Sequence, residues 1–299
     1  RAVLLCQKIN QSSNDNGFFG INMASTGKGK TFANARIMYA LANTDIGCRF
    51  SVALGLRTLT TQTGQALQKN LHLESDDIAT LIGSKAILKL LNANNIEQAD
   101  SKLLQEQQQL LEDLERTALA MRGSESLEMD DDFDIEFDDD IEIDKNSLLK
   151  KWFEKEPKYQ KLLYAPILVS TIDYLIPATE GTRGGRQIAP MLRLLSGDLV
   201  LDEPDEFGLN DLPALARLVN WAGLLGSKVL LSSATIPPAM AEALFEAYSA
   251  GRQIYQRIML GEKTPTPITC AWFDEFSAKS QEITSTEKNA FTKAHKQFI

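Results

Sequence analysis

Cysteine and histidine are scarce in this chain of 299 residues. The three cysteines, Cys6, Cys48 and Cys270, are far apart and show no CxxC spacing. That excludes a disulfide framework and a thiolate zinc site, and the three read as free thiols. The two histidines, His72 and His295, stand in unrelated sequence contexts. No apolar run approaches the roughly 18 residues that a bilayer span requires, and Arg1 to Cys6 is too short for a secretory leader. A membrane is therefore excluded as a partner and a cytoplasmic chain is expected. Aromatic residues make up 7% of the sequence, and Trp152, Trp221 and Trp272 read as core or interface residues rather than base-stacking platforms. Basic residues are missing altogether between Glu125 and Asp144, a stretch that holds 12 acidic ones. The whole chain, with 31 Lys+Arg against 40 Asp+Glu, carries a net charge of -9. Outside the acidic stretch the balance is 31 positive to 28 negative, which is compatible with a polyanionic ligand. What is present, 43% hydrophobic and 24% charged residues, is the composition of a globular chain able to bury a large core.

The hydrophobic pattern alternates between two periods. Gly17 to Ala24 (GFFGINMA) is a short apolar run, and Thr31 to Leu41 places Ile37, Ala40 and Leu41 on one helical face. Phe50 to Leu56 predicts a second buried strand, followed by a turn and a helix in TLTTQTGQALQKNL. Further strands are predicted at Ala165 to Val169, Asp198 to Leu201 and Lys228 to Leu231, with a helix over Leu212 to Leu225. Strands alternating with helices imply an α/β fold whose mostly parallel sheet is covered on both faces, with ligands at the carboxyl ends of the strands. One region breaks the rhythm. Ile96 to Met121 carries apolar residues at three-, four- and seven-residue intervals on a Gln/Glu-rich background, predicting a long amphipathic helix. The acidic stretch 125–144 follows and is expected to be disordered, because like charge at that density opposes packing. Residues 94–146 thus read as a helical and acidic insertion.

Three short motifs sit at predicted strand ends. Ala24, Ser25, Thr26, Gly27, Lys28, Gly29, Lys30 and Thr31 spell ASTGKGKT, which departs from the phosphate-binding P-loop pattern only in Ala24 for the first glycine. Gly27 and Gly29 allow the backbone N–H groups to face the phosphates of ATP, Lys30 supplies a positive charge, and the Thr31 hydroxyl can ligate Mg2+. Lys28 adds charge beside the phosphates without an essential role. Asp202 and Glu203 end the strand in LVLDEPDEF. Asp202 is placed to hold Mg2+ and Glu203 to polarise an attacking water. A pair of acids after a strand also serves as a helix cap or solvated turn, and the P-loop in the same chain decides between the two. Ser233, Ala234 and Thr235 (SAT) follow the run KVLLS. Alone they are turn formers, but beside the acids, and Asp205 in particular, their hydroxyls can couple one site to another.

The order ASTGKGKT, DEPD, SAT, each after a strand, resembles superfamily 2 helicases, whose motifs I, II and III read AxxGxGKT, DExx and SAT. With VSTIDYL, TEGTRGGRQIAPMLRLLSGDLVLDEPDEF and LLSSATIP, the chain resembles the CRISPR-associated helicase-nucleases of type I-F systems, which are fused to an adaptation subunit. The resemblance covers a first RecA-like domain, nearly the whole of 1–299. It implies an ATP- and Mg2+-dependent helicase moving 3′ to 5′ along single-stranded DNA, recruited by a CRISPR surveillance complex, with the adaptation integrase and phage-encoded inhibitors as further partners. It places Arg57 and Thr58 in motif Ia and Ser170, Thr171 and Asp173 in motif Ib, on the DNA track. Arg57 is otherwise a solvated surface charge. Arg183 and Arg186 in TRGGR could grip phosphates, or their loop could simply require glycine. The family's HD nuclease centre cannot be built from two unrelated histidines, no second RecA-like domain is expected after Thr235, and the chain begins without Met, so a fragment is expected. A P-loop ATPase that remodels protein complexes, and a non-catalytic interaction module built on the acidic stretch, remain alternatives.

Overall fold

A computed structural model of the chain describes residues 1–55, 60–81, 163–180, 187–207, 211–262, 264–284, 287 and 289–299. The insertion 94–146 lies outside the described residues. In chain order the helices are α1 (Ala2–Lys8), α2 (Asn10–Asn16), α3 (Lys30–Leu41), α4 (Thr60–Leu71), α5 (Ile172–Leu175), α6 (Ile188–Leu195), α7 (Leu212–Leu224), α8 (Pro238–Met259) and α9 (Ala290–Phe298). The strands are β1 (Phe18–Asn22), β2 (Phe50–Leu54), β3 (Ile78–Leu81), β4 (Ile167–Thr171), β5 (Asp198–Asp202), β6 (Val229–Ser232), β7 (Ile268–Phe273) and β8 (Ala278–Ile283). They form one sheet in the order β3-β4-β2-β5-β6-β1-β7-β8. Every pairing is parallel except that of β7 with β8. The P-loop strand β1 and the DEPD strand β5 are thus not neighbours, and β6, which leads into SAT, lies between them. This is the RecA-like α/β arrangement that the sequence predicts.

The continuous apolar runs arise because central strands are buried on both faces, with alternate residues feeding separate cores. Phe19 and Ile21 of β1, Leu199 and Leu201 of β5, and Val229 and Leu231 of β6 join one core with residues of α5, α7, α8 and α9. Phe18, Val200 and Leu230 point the other way, into a core closed by Cys6 of α1, Ile37, Met38 and Leu41 of α3, and Leu67 of α4. His295 is a core residue, fully buried and stacked on Phe291. Burial keeps its pKa below the usual histidine range. Edge strand β8 exposes most of its residues, Lys279 and Glu282 among them, and such charges discourage pairing with another chain.

The predicted strands and the helix of 212–225 are present, with boundaries shifted by a residue or two. The stretch after Thr235, where no second RecA-like domain is expected, contributes β7 and β8 to the same sheet. β7 pairs with β1 along its whole length, Phe19 opposite Cys270 and Ile21 opposite Trp272. Trp272 is buried there.

Candidate nucleotide site

The three motifs converge at the carboxyl ends of β1, β5 and β6. The P-loop begins as β1 ends, and Asn22 fixes that point. Its side-chain amide donates to Asn34 Oδ1 of α3 at 2.7 Å, and its Oδ1 accepts from the Ala24 N–H at 3.2 Å. Strand, loop and helix are thereby tied by two buried asparagines that the motif pattern does not include. Gly27 and Gly29 have φ of 79° and 78°, the left-handed region where a side chain is strained. A Cβ at either would meet nothing within 4 Å, so glycine is required there by backbone conformation and not by lack of room. Ala24, in the position of the first glycine, is buried.

Lys30, at the first turn of α3, is buried, and its Nζ lies 2.8 Å from Glu203 Oε1. The contact is ionic, with angles outside hydrogen-bond geometry. Glu203 directly follows β5 with φ 50° and ψ 54°, a strained conformation for a residue with a side chain. A 2.7 Å bond from its N–H to the Ser232 carbonyl holds it there. Asp202 ends β5, buried, with Oδ1 fully covered and bonded to nothing. Burial pushes its carboxyl up to about 6, the charge of Glu203 adds to the rise, and Ser232 and Lys30 partly offset it. An orphaned buried carboxylate oxygen is a donor that a hard divalent cation takes, so Asp202 fits Mg2+, and Thr31 follows Lys30 in the first turn of α3.

SAT is fastened to both neighbours. Ser233 N–H donates to the Asn22 carbonyl at 3.0 Å. Ser233 Oγ accepts from the Thr235 N–H at 3.0 Å, and Thr235 Oγ1 donates to Asp205 Oδ2 at 2.6 Å. The expected link between SAT and the acidic motif is a direct hydrogen bond. A further acid reaches the P-loop from the β7–β8 turn. Glu275 Oε1 accepts from Ser25 Oγ at 2.5 Å and Oε2 from Ser25 N–H at 3.2 Å. These bonds, the hydroxyl's first, hold its carboxyl below the usual range. No motif marks Glu275, and only the placement of β7 beside β1 brings it here.

The predicted DNA residues fare differently. Ser170 and Thr171 end β4 and are buried, so neither presents a hydroxyl at the surface in this conformation. Arg57, Thr58, Arg183 and Arg186 lie outside the described residues. Among the described residues, no group of three or more His, Cys, Asp and Glu side chains could hold a metal ion, and no helix is long and apolar enough to cross a membrane.

No family model matches the chain. Two curated proteins do, both described as CRISPR-associated nuclease/helicase Cas3 of subtype I-F/YPEST. The one from Pectobacterium atrosepticum is 53% identical over 282 residues, 94% of this chain. The one from Pseudomonas aeruginosa is 48% identical over 287 residues, 95% of this chain. The chain spans 24% of the length of each. Among solved structures, T. fusca Cas3 with ATP is similar at 19% identity and a TM-score of 0.49, over 84% of this chain and 22% of that one. T. fusca Cas3 with AMPPNP is similar at 22% identity and a TM-score of 0.46, over 77% of this chain and 20% of that one.

Proposed function

Since the chain belongs to the CRISPR-associated Cas3 nuclease/helicases of subtype I-F/YPEST, of which it spans 24%, we propose that it is their first RecA-like domain and that its task is to bind and hydrolyse ATP. The observation that carries this is the convergence of Lys30, Glu203 and the unsatisfied Asp202 at the mouth of the P-loop. Lys30 exchanges Glu203 for the terminal phosphates, and the N–H groups from Thr26 to Thr31 surround them. Glu203, released, orients a water and accepts its proton. Mg2+, held by Asp202 and Thr31, would neutralise charge developing on the phosphates. The Thr235–Asp205 hydrogen bond then links the acidic motif to SAT, a route by which the state of the phosphates is passed on. In the complete protein this hydrolysis would drive 3′ to 5′ translocation along single-stranded DNA next to a CRISPR surveillance complex, with Arg57, Thr58, Ser170 and Thr171 on the DNA path. The buried serine and threonine would then act by positioning β4 unless the strand end opens.

The test is single-turnover ATP hydrolysis by the full-length protein with and without single-stranded DNA. Hydrolysis that depends on Lys30 and Asp202 and rises with DNA supports the reading. Hydrolysis indifferent to DNA would favour an ATPase that remodels protein complexes, and no hydrolysis at all would remove the site assignment.

A further inference from the structure

Beside the site, where the start of α7 diverges from the start of α8, lies a groove of about 530 Å3. Leu212, Ala216, Pro237, Met240 and Leu244 form apolar walls, and Asp205 stands at one end. Asp205 is the one charged residue among those lining the groove. One of its oxygens accepts the Thr235 hydrogen bond, and the other, Oδ1, is buried without a partner. A volume in the range of ligand sites, apolar walls and a single carboxylate define a complementary occupant: an apolar stem ending in a cation that bonds to the carboxylate.

We propose that this groove receives an arginine or lysine side chain presented by a partner polypeptide, with its stem along Met240 and Leu212 and its charged head on the Asp205 carboxylate. A polypeptide is favoured over a free organic cation by the rim. Pro213, Ala239 and Ala243 are exposed and apolar, so a small ligand would leave that side wet, whereas the backbone carrying a docked side chain covers it. Arginine, with tryptophan and tyrosine, is enriched at such buried anchor points. Because the carboxylate that receives it also holds Thr235, the occupant would touch the link between the acidic motif and SAT.

Binding is read apart from ATP hydrolysis, so the inference stands or falls separately from the nucleotide reading. Full-length protein is titrated calorimetrically with acetyl-Ala-Leu-Arg-Leu-Ala-amide, with the same peptide carrying neutral citrulline, and with n-butylguanidinium. The arginine peptide is expected to bind at least about tenfold more tightly than the citrulline peptide. Asp205→Asn should erase that ratio, and Ala243→Phe, on the exposed rim, should remove binding of both. The proposal is overturned by equal affinity for the two peptides, by no binding of either, or by binding that survives Ala243→Phe. Affinity for n-butylguanidinium equal to that for the arginine peptide would overturn the polypeptide occupant and leave a site for free organic cations. If Asp205→Asn does not fold, the rim variant and the citrulline peptide still decide.

Discussion

Cations are treated in opposite ways at the two ends of the sheet. At the amino ends, buried Arg193 is surrounded by acceptors. Its Nε donates to Ser51 Oγ, its Nη1 to the carbonyls of Leu163 and Ala165, and its Nη2 to those of Phe50 and Pro166. Burial, and then the like charge of Arg49, push its guanidinium down to about 9, so it is still charged at neutral pH. Arg252 likewise closes the end of α2 through the carbonyls of Asp15 and Asn16 and lies over the Tyr255 ring. At the carboxyl ends, buried Lys30 has one ionic contact, and Asp202, Asp205 and Ser170 each keep a buried side-chain oxygen without a partner. The two arginines are satisfied, whereas the lysine and the acids at the other end are left wanting, even though Thr269 and Gln256 at the amino end also keep an unpaired oxygen. A fully bonded side chain resists change, and one with unmet bonds is ready for a ligand.

The comparison can be broken by exchanging the effects. Arg193→Leu should cost about 3–5 kcal/mol, since it leaves several buried carbonyls unsatisfied, while nucleotide affinity per folded molecule stays near the parent's. Urea unfolding and nucleotide titration of the same preparation measure both. Lys30→Ala should do the reverse, lowering ATP hydrolysis by about 10²–10³, or roughly 3–4 kcal/mol of barrier, with little change in the urea midpoint. If Lys30→Ala unfolds the protein, or Arg193→Leu silences it without destabilising it, the division between the two ends is wrong.

Asp202 sharpens the contrast through pH. Its pKa is raised when folded, so between about pH 4 and 6 the native state holds more protons than the unfolded one, and stability falls as pH rises through that window. Asp202→Asn should therefore raise nucleotide-free stability at pH 7 by on the order of 2–3 kcal/mol, and should flatten the dependence of melting temperature on pH between 4 and 6. In the parent, Mg2+-dependent nucleotide binding should weaken below about pH 6, where the carboxyl is protonated. A difference in melting temperature between parent and Asp202→Asn that does not change from pH 4 to 6 would contradict the shift. The smallest effect is expected of Thr235→Val. Removing one exposed hydroxyl should cost about 1 kcal/mol or less, yet should lower the DNA-stimulated part of ATP hydrolysis more than the unstimulated part. Equal loss of both would make SAT an ordinary piece of structure.

The carboxyl end was the more legible of the two in the sequence, for a physical reason. Phosphate binding needs left-handed backbone at Gly27 and Gly29 and a lysine at a helix start, and these requirements fix residue types at fixed spacing, so ASTGKGKT could be read directly. Central strands buried on both faces appear as apolar runs, which made β1, β2, β4, β5 and β6 visible. Arg193 and Arg252 gave no such signal, because their partners are main-chain carbonyls, which any residue supplies. Glu275 and Asn34 were missed because their roles depend on which strand or helix lies alongside, and pairing partners such as β1 and β7 stand far apart in the chain. The run ITCAWF of β7 is not among the predicted strands, and nothing in it marks a neighbour of the P-loop.

That separation sets a clock on synthesis. Phe18–Asn22 is flanked by Val229–Ser232 on one side and Ile268–Phe273 on the other, so β1 has no strand neighbour until about 210 further residues have been translated, and lacks its second until about 250 have been. At roughly 5–20 residues per second this leaves it waiting on the order of ten to fifty seconds. Meanwhile the nascent chain exposes FFGIN, an uncharged and mostly apolar segment of the kind that chaperones hold and that aggregates form around. The segment that opens the nucleotide site is made long before the strands that flank it, and the yield of active protein in the cell should respond to the pace of elongation downstream of residue 22 more than to the stability of the finished fold.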